Sequence, residues 1–201
     1  MEIKICGMMR PQDIDFVNVL QPDYVGFILA PSRRKISPEF CRYLTDKLDN
    51  NIQKVGVFVN SSSAEINDII RYCNIDITQL HGDEKPPECK KIMGNVWKAI
   101  RIRGKEDLIN TGDYDVEGYL LDTYHEKMAG GTGESFSWNI IQGVLLPKKT
   151  ILAGGISLNN IEKAIMLDNI QCIDISSGVE THGVKDFYKI KEIIERVRQY
   201  E

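Results

Sequence analysis

Two side chains suited to proton transfer stand at the ends of apolar, strand-like segments. Cys6 ends the segment Glu2–Cys6, and Asp122 follows the pair Leu120-Leu121. A thiolate can accept a proton and a carboxylic acid can donate one, which is the pairing that general acid–base chemistry requires. Taken singly, a free cysteine is usually a buried packing residue and such an aspartate usually a turn residue. The placement of both at strand ends favours a catalytic role.

Glycine-rich turns follow two later apolar segments. One contains Gly154 and Gly155, and the other contains Ser176, Ser177 and Gly178. Glycines let backbone N–H groups approach an anion closely, and the N-terminus of a following helix adds partial positive charge. A single turn of this kind would indicate only a tight connection. Two of them in these places predict a phosphate-binding site.

Three further features could contribute to a site. Gly130, Gly131, Thr132 and Gly133 lie in a long segment between two elements, and we expect them to form a flexible flap. Considered alone, Arg34 reads as a solvated surface charge. His81 follows a strand-like segment, where a structural hydrogen-bonding role and a ligand contact are equally compatible with the sequence.

The elements that must position these residues alternate between β-rich apolar segments and amphipathic segments. Eight such repeats within 201 residues predict an α/β fold, a single-domain (β/α)8 TIM barrel spanning residues 1–201. A doubly wound open sheet would require a glycine fingerprint after the first strand, where the chain has Cys6-Gly7-Met8 instead. The predicted strands are Glu2–Cys6, Tyr24–Leu29, Lys54–Val59, Asp76–Leu80, Val96–Ile102, Gly118–Leu121, Thr150–Ala153 and Cys172–Ile175.

Helix starts are marked by capping residues. Ser37 and Pro38 predict an N-cap followed by a first-turn proline, and Ser63 predicts the cap of the next helix. Apolar residues at three- and four-residue spacing from Phe187 onward predict a final amphipathic helix. The patterns after Pro86-Pro87 and after Gly104 are the weakest of the predicted helices.

Composition excludes several classes of partner. The net charge of −4 and the lack of a basic tail argue against nucleic acid and against an anionic membrane surface. The five cysteines show no C-x-x-C spacing, which argues against a zinc site and a disulfide framework and favours a reducing cytoplasm. An anionic small-molecule substrate would therefore have to be held by local donors, not by the field of the whole protein.

The ordered set of motifs resembles the phosphoribosylanthranilate isomerase family of tryptophan biosynthesis. The resemblance extends from the first to the last predicted strand. The segments that carry it are Lys4-Ile5-Cys6-Gly7, Val25-Gly26-Phe27, Ser32-Arg33-Arg34-Lys35-Ile36-Ser37, Val55-Gly56-Val57-Phe58-Val59-Asn60, Gln79-Leu80-His81-Gly82, Leu120-Leu121-Asp122-Thr123, Gly130-Gly131-Thr132-Gly133, Ala153-Gly154-Gly155 and Ser176-Ser177-Gly178-Val179-Glu180.

The resemblance implies an Amadori rearrangement of N-(5-phosphoribosyl)anthranilate without a metal or redox cofactor. It implies that Asp122 is the general acid that opens the ribose ring and that Cys6 is the base that removes the C2 proton. It further implies that Arg34 binds the anthranilate carboxylate and that His81 and Asp174 line the sugar pocket. The two glycine-rich turns would hold the phosphate.

This chemistry leads to two expectations about ionisation. The pKa of Cys6 should be lowered, because only a thiolate can act as a base, and that of Asp122 raised, because the acid must start protonated. The related isomerase barrel of histidine biosynthesis uses an aspartate at the end of its first strand, so Cys6 argues against it. A non-catalytic phosphate-binding barrel would need neither Cys6 nor Asp122. A second sugar-phosphate substrate stays open, as does the choice between monomer and homodimer.

Overall fold

The computed structural model describes residues 1–108, 111–122 and 138–200 and contains a closed barrel of eight parallel strands. Strands that follow one another in the sequence are adjacent in the barrel, and the first strand pairs with the last. The predicted fold class is confirmed, with strand ends within one residue of expectation. The strands are β1 (Glu2–Cys6), β2 (Tyr24–Ile28), β3 (Gln53–Phe58), β4 (Ile77–Leu80), β5 (Asn95–Arg101), β6 (Gly118–Asp122), β7 (Lys149–Ala153) and β8 (Cys172–Ile175).

In the described residues, six α-helices pack outside the barrel, and a small hairpin follows it. The helices are α1 (Pro11–Leu20), α2 (Pro38–Thr45), α3 (Ser63–Tyr72), α4 (Pro86–Cys89), α5 (Ile161–Ile165) and α6 (Phe187–Arg198). The hairpin strands are β9 (Glu180–Thr181) and β10 (Val184–Lys185), which pair antiparallel. In the part of the chain that the structure describes, no helix has both the length and the apolar run needed to cross a membrane.

Capping residues explain where the longer helices begin. Ser37 caps α2 as predicted, accepting a hydrogen bond from the Phe40 amide, with Pro38 in the first turn. For α3 the prediction was one residue late, because Ser62, not Ser63, accepts the capping bond. Asp186 caps α6 through the amides of Tyr188 and Lys189.

The weakly patterned helices are short. The helix after Pro86-Pro87 has four residues, and the described residues after β5 form two 3-10 helices, Lys105–Leu108 and Thr111–Asp113. Another 3-10 helix, Trp138–Ile140, precedes β7. Segments this short bury little of an amphipathic face, and burial of such a face supplies most helix stability.

The alternation of side chains along the strands divides the core in two. Outward-facing residues pack against the helices, and inward-facing residues fill the barrel. The lower interior is apolar, formed by Tyr24, Val55, Ile77, Trp97, Ala99, Leu120, Ile151, Ala153 and Cys172. Above it the inward positions become polar: Lys4, Gln79 and Asp174 are buried there. This polar layer forms the floor of the site.

Candidate active site

A pocket of about 640 Å³ opens at the carboxyl ends of the strands. Five inward-facing residues lie within one residue of the ends of their strands, as active-site residues of such barrels do: Cys6, Gln79, His81, Asp122 and Asp174. Nine of the predicted site residues line this one pocket: Cys6, Arg34, His81, Asp122, Gly154, Gly155, Asp174, Ser176 and Ser177. Gly178, the residue after Ser177, is not among the residues that line the pocket. Gly130, Gly131, Thr132 and Gly133 lie outside the described residues.

The thiol of Cys6 occupies a space left by a glycine of the next strand. Cys6 and Gly26 are register partners in β1 and β2. A Cβ atom on Gly26 would stand 2.5 Å from the Cys6 Sγ, so a larger residue cannot be placed there without movement. The chain then turns at Gly7, whose φ of +88° favours glycine. The local sequence therefore holds the thiol at the pocket wall.

Burial raises the pKa of Cys6 above its ordinary value. The ammonium groups of Lys4 and Lys185 lower this pKa and the carboxylate of Asp174 raises it, but desolvation is the largest effect. The expectation of a lowered pKa was therefore wrong for this state of the protein. The strand-end position indicated the chemistry, but it carried no information about how completely the thiol is removed from water.

Asp122 and His81 are hydrogen-bonded to each other across the pocket. The His81 Nε2 lies 3.0 Å from the Asp122 Oδ2, and the His81 Nδ1 lies 2.8 Å from the Gln79 Nε2. Both roles that the sequence allowed for His81 are therefore compatible with its position, since it is hydrogen-bonded and also faces the cavity. Gln79, given no role by the sequence, also lines the pocket.

Arg34 is an ion-paired pocket residue, not a solvated surface charge. Its Nε and Nη2 atoms donate to the two oxygens of Glu180, at 2.6 and 2.9 Å, and its side chain is 13% exposed. Glu180 also accepts from Arg33 and from Lys185. Although burial opposes the charge of Glu180, Arg34 and Lys185 hold the pKa of its carboxyl below the ordinary value. Sequence reasoning assigned Glu180 no role, because its partner Arg34 lies 146 residues away.

The two glycine-rich turns meet at the pocket edge. Gly154 and Gly155 have φ values of +95° and +66°, a backbone conformation that favours glycine. Gly178 forms a bridge with Ser157, and a Cβ atom on Gly178 would overlap the carbonyl oxygen of Ile156. Only glycine permits this approach, which brings the two turns together. The helix after Gly155 begins only at Ile161 and has five residues, so its N-terminus is not part of the turn.

Asp174 presents a buried acceptor to the pocket. Its Oδ2 accepts a hydrogen bond from the Lys4 Nζ at 2.9 Å, whereas no described residue donates to its Oδ1. A buried carboxylate oxygen without a donor is costly unless a ligand supplies one. A hydroxyl group of a bound sugar would satisfy it. Within residues 1–108, 111–122 and 138–200 there is no group of three or more His, Cys, Asp or Glu side chains placed to hold a metal ion.

Comparison with known proteins agrees with this geometry. Residues 3–196 match the family model described as N-(5'phosphoribosyl)anthranilate (PRA) isomerase. The N-(5'-phosphoribosyl)anthranilate isomerase of Thermoanaerobacter sp. (strain X514) is 45% identical over 198 residues, covering 98% of both chains.

Two solved structures extend the similarity to the fold. The phosphoribosyl anthranilate isomerase from Thermotoga maritima superposes with a TM-score of 0.87 at 34% identity, over 99% of both chains. A phosphoribosyl anthranilate isomerase in complex with reduced 1-(o-carboxyphenylamino)-1-deoxyribulose 5-phosphate gives a TM-score of 0.84 at 32% identity, again over 99% of both chains. The chain therefore belongs to the N-(5'-phosphoribosyl)anthranilate isomerase family.

Proposed function

We propose that this chain catalyses the Amadori rearrangement of N-(5-phosphoribosyl)anthranilate to 1-(2-carboxyphenylamino)-1-deoxyribulose 5-phosphate, a step of tryptophan biosynthesis. One observation carries the proposal: Cys6 and Asp122 line the same pocket as the two glycine-rich turns. An acid, a base and an anion recess on one cavity suit an aldose-to-ketose shift of a phosphorylated sugar.

Asp122 acts first, as the general acid. In its protonated form it delivers a proton to the ring oxygen of the ribose, the C1–O bond breaks, and the nitrogen lone pair forms the C1=N bond of a protonated Schiff base. The His81 Nε2 lies 3.0 Å from the Asp122 Oδ2 and helps to hold the carboxyl group in place. The ring oxygen becomes the C4 hydroxyl, so atoms and charge balance.

Cys6 acts second, as the general base. Its thiolate removes the proton from C2, and the C–H electron pair forms the C1=C2 bond while the C=N pair returns to nitrogen. The resulting enolamine tautomerises to the ketone by losing the C2 hydroxyl proton and gaining one at C1. Because burial raises the pKa of Cys6, the nearby Lys4 and Lys185 ammonium groups are needed to make the thiolate accessible.

The remaining site residues bind and orient the substrate. The backbone of Gly154, Gly155 and Ser176–Gly178 holds the phosphate, in keeping with the usual place of phosphate in such barrels. Arg34 binds the anthranilate carboxylate. Asp174 accepts a hydrogen bond from a sugar hydroxyl through its Oδ1, the oxygen without a donor among the described residues.

The same proposal covers the setting in which the chain works. Its partner is a small phosphorylated substrate, and it acts in the cytoplasm as one domain spanning residues 1–201. All five cysteines are free and buried, which suits a reducing compartment.

A direct isomerase assay with phosphoribosylanthranilate tests the function. We expect the wild-type protein to be active and Cys6→Ser and Asp122→Asn each to lose about 10²–10⁴-fold in kcat, the usual contribution of a general acid or base. Matched controls are Cys89→Ser, at a buried cysteine outside the pocket, and Asp15→Asn, at an exposed position of α1. Both should retain wild-type kcat.

Two results would overturn the proposal. An inactive, folded wild-type protein would refute the activity, and full activity in both pocket variants would refute the assignment of acid and base. Circular dichroism of each variant separates loss of chemistry from loss of fold.

A further inference from the structure

Four side chains form a continuous hydrogen-bonded chain across the barrel, ending on Asp122. The Lys4 Nζ lies 2.9 Å from the Gln79 Oε1, the Gln79 Nε2 lies 2.8 Å from the His81 Nδ1, and the His81 Nε2 lies 3.0 Å from the Asp122 Oδ2. Gln79 and His81 are two residues apart on the β4 side of the pocket, so strand alternation turns both inward.

The donor and acceptor properties of the groups allow only one direction for the hydrogen bonds that link these four side chains. A lysine ammonium can only donate hydrogen bonds, so the Gln79 oxygen must face Lys4. The Gln79 amide nitrogen, which can only donate, then faces the His81 Nδ1. That ring nitrogen must accept, so the single proton of a neutral imidazole lies on Nε2 and is donated to Asp122.

We propose that Lys4 and Gln79 are positioning residues that hold His81 as the neutral Nε2–H tautomer, hydrogen-bonded to the Asp122 Oδ2. The consequence for catalysis rests on the proposed function of Asp122. With Oδ2 accepting from His81, the acid form of Asp122 carries its proton on Oδ1. The four linked side chains thus fix which oxygen of Asp122 delivers the proton to the substrate.

Because Lys4 and Gln79 are buried, water does not compete for the hydrogen bonds that set the orientation of Gln79. Lys4 is fully buried and Gln79 nearly so. Lys4 donates a second hydrogen bond to the Asp174 Oδ2 at 2.9 Å, and although desolvation opposes its charge, Asp174 and Cys6 hold the Lys4 pKa above its ordinary value. The ammonium form that orients Gln79 is therefore secure at neutral pH.

Among the residues that the structure describes, the charged groups of the neighbouring elements make their contacts away from the ring nitrogens of His81. The Arg101 guanidinium of β5 lies 3.5 Å from the His81 carbonyl oxygen, so it approaches the backbone and not the imidazole. The Lys98 ammonium is engaged by Glu84 and by the Leu80 and Gly82 carbonyl oxygens. Among the contacts of the described residues, the two ring nitrogens face only Gln79 and Asp122.

Nitrogen NMR of the histidine side chains tests the proposal. The chain has three histidines, so the His81 ring signals of the ¹⁵N-labelled protein can be assigned by their loss in His81→Asn. At about pH 8, where an ordinary imidazole is neutral, we expect protonated Nε2 and unprotonated Nδ1. We also expect a coupling across the hydrogen bond between the Gln79 Nε2 and the His81 Nδ1. A protonated Nδ1 in the wild-type protein would overturn the proposal.

Gln79→Glu reverses the direction of the hydrogen bond between residue 79 and the His81 Nδ1. A carboxylate accepts from both Lys4 and the His81 Nδ1, so we expect the Nδ1 signal to move into the protonated range and kcat to fall about 10–10²-fold. Gln53→Glu, at an exposed position where β3 begins, makes the same chemical change and should alter neither. An unchanged His81 spectrum in folded Gln79→Glu would overturn the proposal.

The inference about the His81 tautomer and the proposed function can be refuted independently of each other. Wild-type protein that is inactive on phosphoribosylanthranilate leaves the His81 tautomer measurable, and the coupling in the wild-type protein decides the inference even if Gln79→Glu does not fold.

Discussion

A methyl group added at Gly26 should disable the proposed base in a protein that still folds. The Cβ of Gly26→Ala would stand 2.5 Å from the Cys6 Sγ and 3.1 Å from the Cys6 Cα. Non-bonded heavy atoms prefer separations of about 3.5–4.0 Å, so Sγ is too close to the new methyl by about 1 Å. The thiol must rotate or the two strands must separate. Either change displaces Sγ from its place on the pocket wall.

The size of the Cys6 Sγ displacement determines how much activity we expect Gly26→Ala to lose. A misplacement of about 1 Å at a catalytic group can cost about 10²-fold in rate, which corresponds to roughly 2.7 kcal/mol of transition-state stabilisation. Overpacking a tight interior position costs about 1–3 kcal/mol of unfolding free energy. We therefore expect folded Gly26→Ala protein whose kcat/KM for phosphoribosylanthranilate is about a hundredth of the wild-type value.

Steady-state kinetics and urea unfolding measure the two effects separately. Gly112→Ala is the matched control, because a Cβ there meets no atom within 4 Å, and it should behave as wild type. Mass-spectrometric mapping of iodoacetamide labelling should show an altered rate at Cys6 in Gly26→Ala only. If Gly26→Ala retains wild-type kcat/KM, the position of the Cys6 thiol does not limit catalysis and the reasoning fails.

Two further predictions concern binding and pH. Gly178→Ala should raise KM at least about tenfold and weaken inhibition by inorganic phosphate, because its Cβ would overlap the Ile156 carbonyl oxygen and spread the two glycine-rich turns, which we propose to bind phosphate; unchanged phosphate inhibition would contradict this. Glu180→Gln should be about 3 kcal/mol less stable at pH 7, because it leaves the Arg34 and Lys185 charges unpaired. The pKa of folded Glu180 is lowered below the ordinary 4.5, so its contribution is present above that pH and is lost as the pH falls further. Urea unfolding at pH 7 and at pH 3 should show the difference between variant and wild type shrinking in acid, with exposed Glu195→Gln as the control; a constant difference would refute it.

The barrel and the rim of its pocket could be predicted from sequence because both follow from local pattern. Short apolar segments gave strand ends to within a residue, and the residue after a parallel strand must lie at the catalytic edge. Cys6, Asp122 and the glycine turns are therefore found by reading what stands at each strand end. Their roles in catalysis and binding stay predictions until the variants are measured.

The partners of these residues could not be predicted, since they come from distant parts of the chain. Glu180 pairs with Arg34 from 146 residues away, and Lys4 meets Gln79 across 75 residues. Lysine and glutamine inside a barrel also contradict the usual preference for the surface, so no local pattern marks them. The predicted lowering of the Cys6 pKa was wrong for the same reason, because the burial that raises this pKa is a property of the assembled barrel and not of β1 alone.

The seam that closes the barrel has a consequence for how the protein becomes functional during synthesis. Lys4 and Asp174 are register partners between the first and last strands, and the Ser176 hydroxyl donates to the Cys6 carbonyl oxygen at 3.1 Å. Contacts across 170 residues carry a high loop-closure cost and form late. Cys6 leaves the ribosome before β8 does, so its surroundings are complete only after the eighth strand has emerged. A nascent chain lacking β8 and the residues after it would contain Cys6 and Lys4 but not Asp174, Lys185 or the second glycine-rich turn.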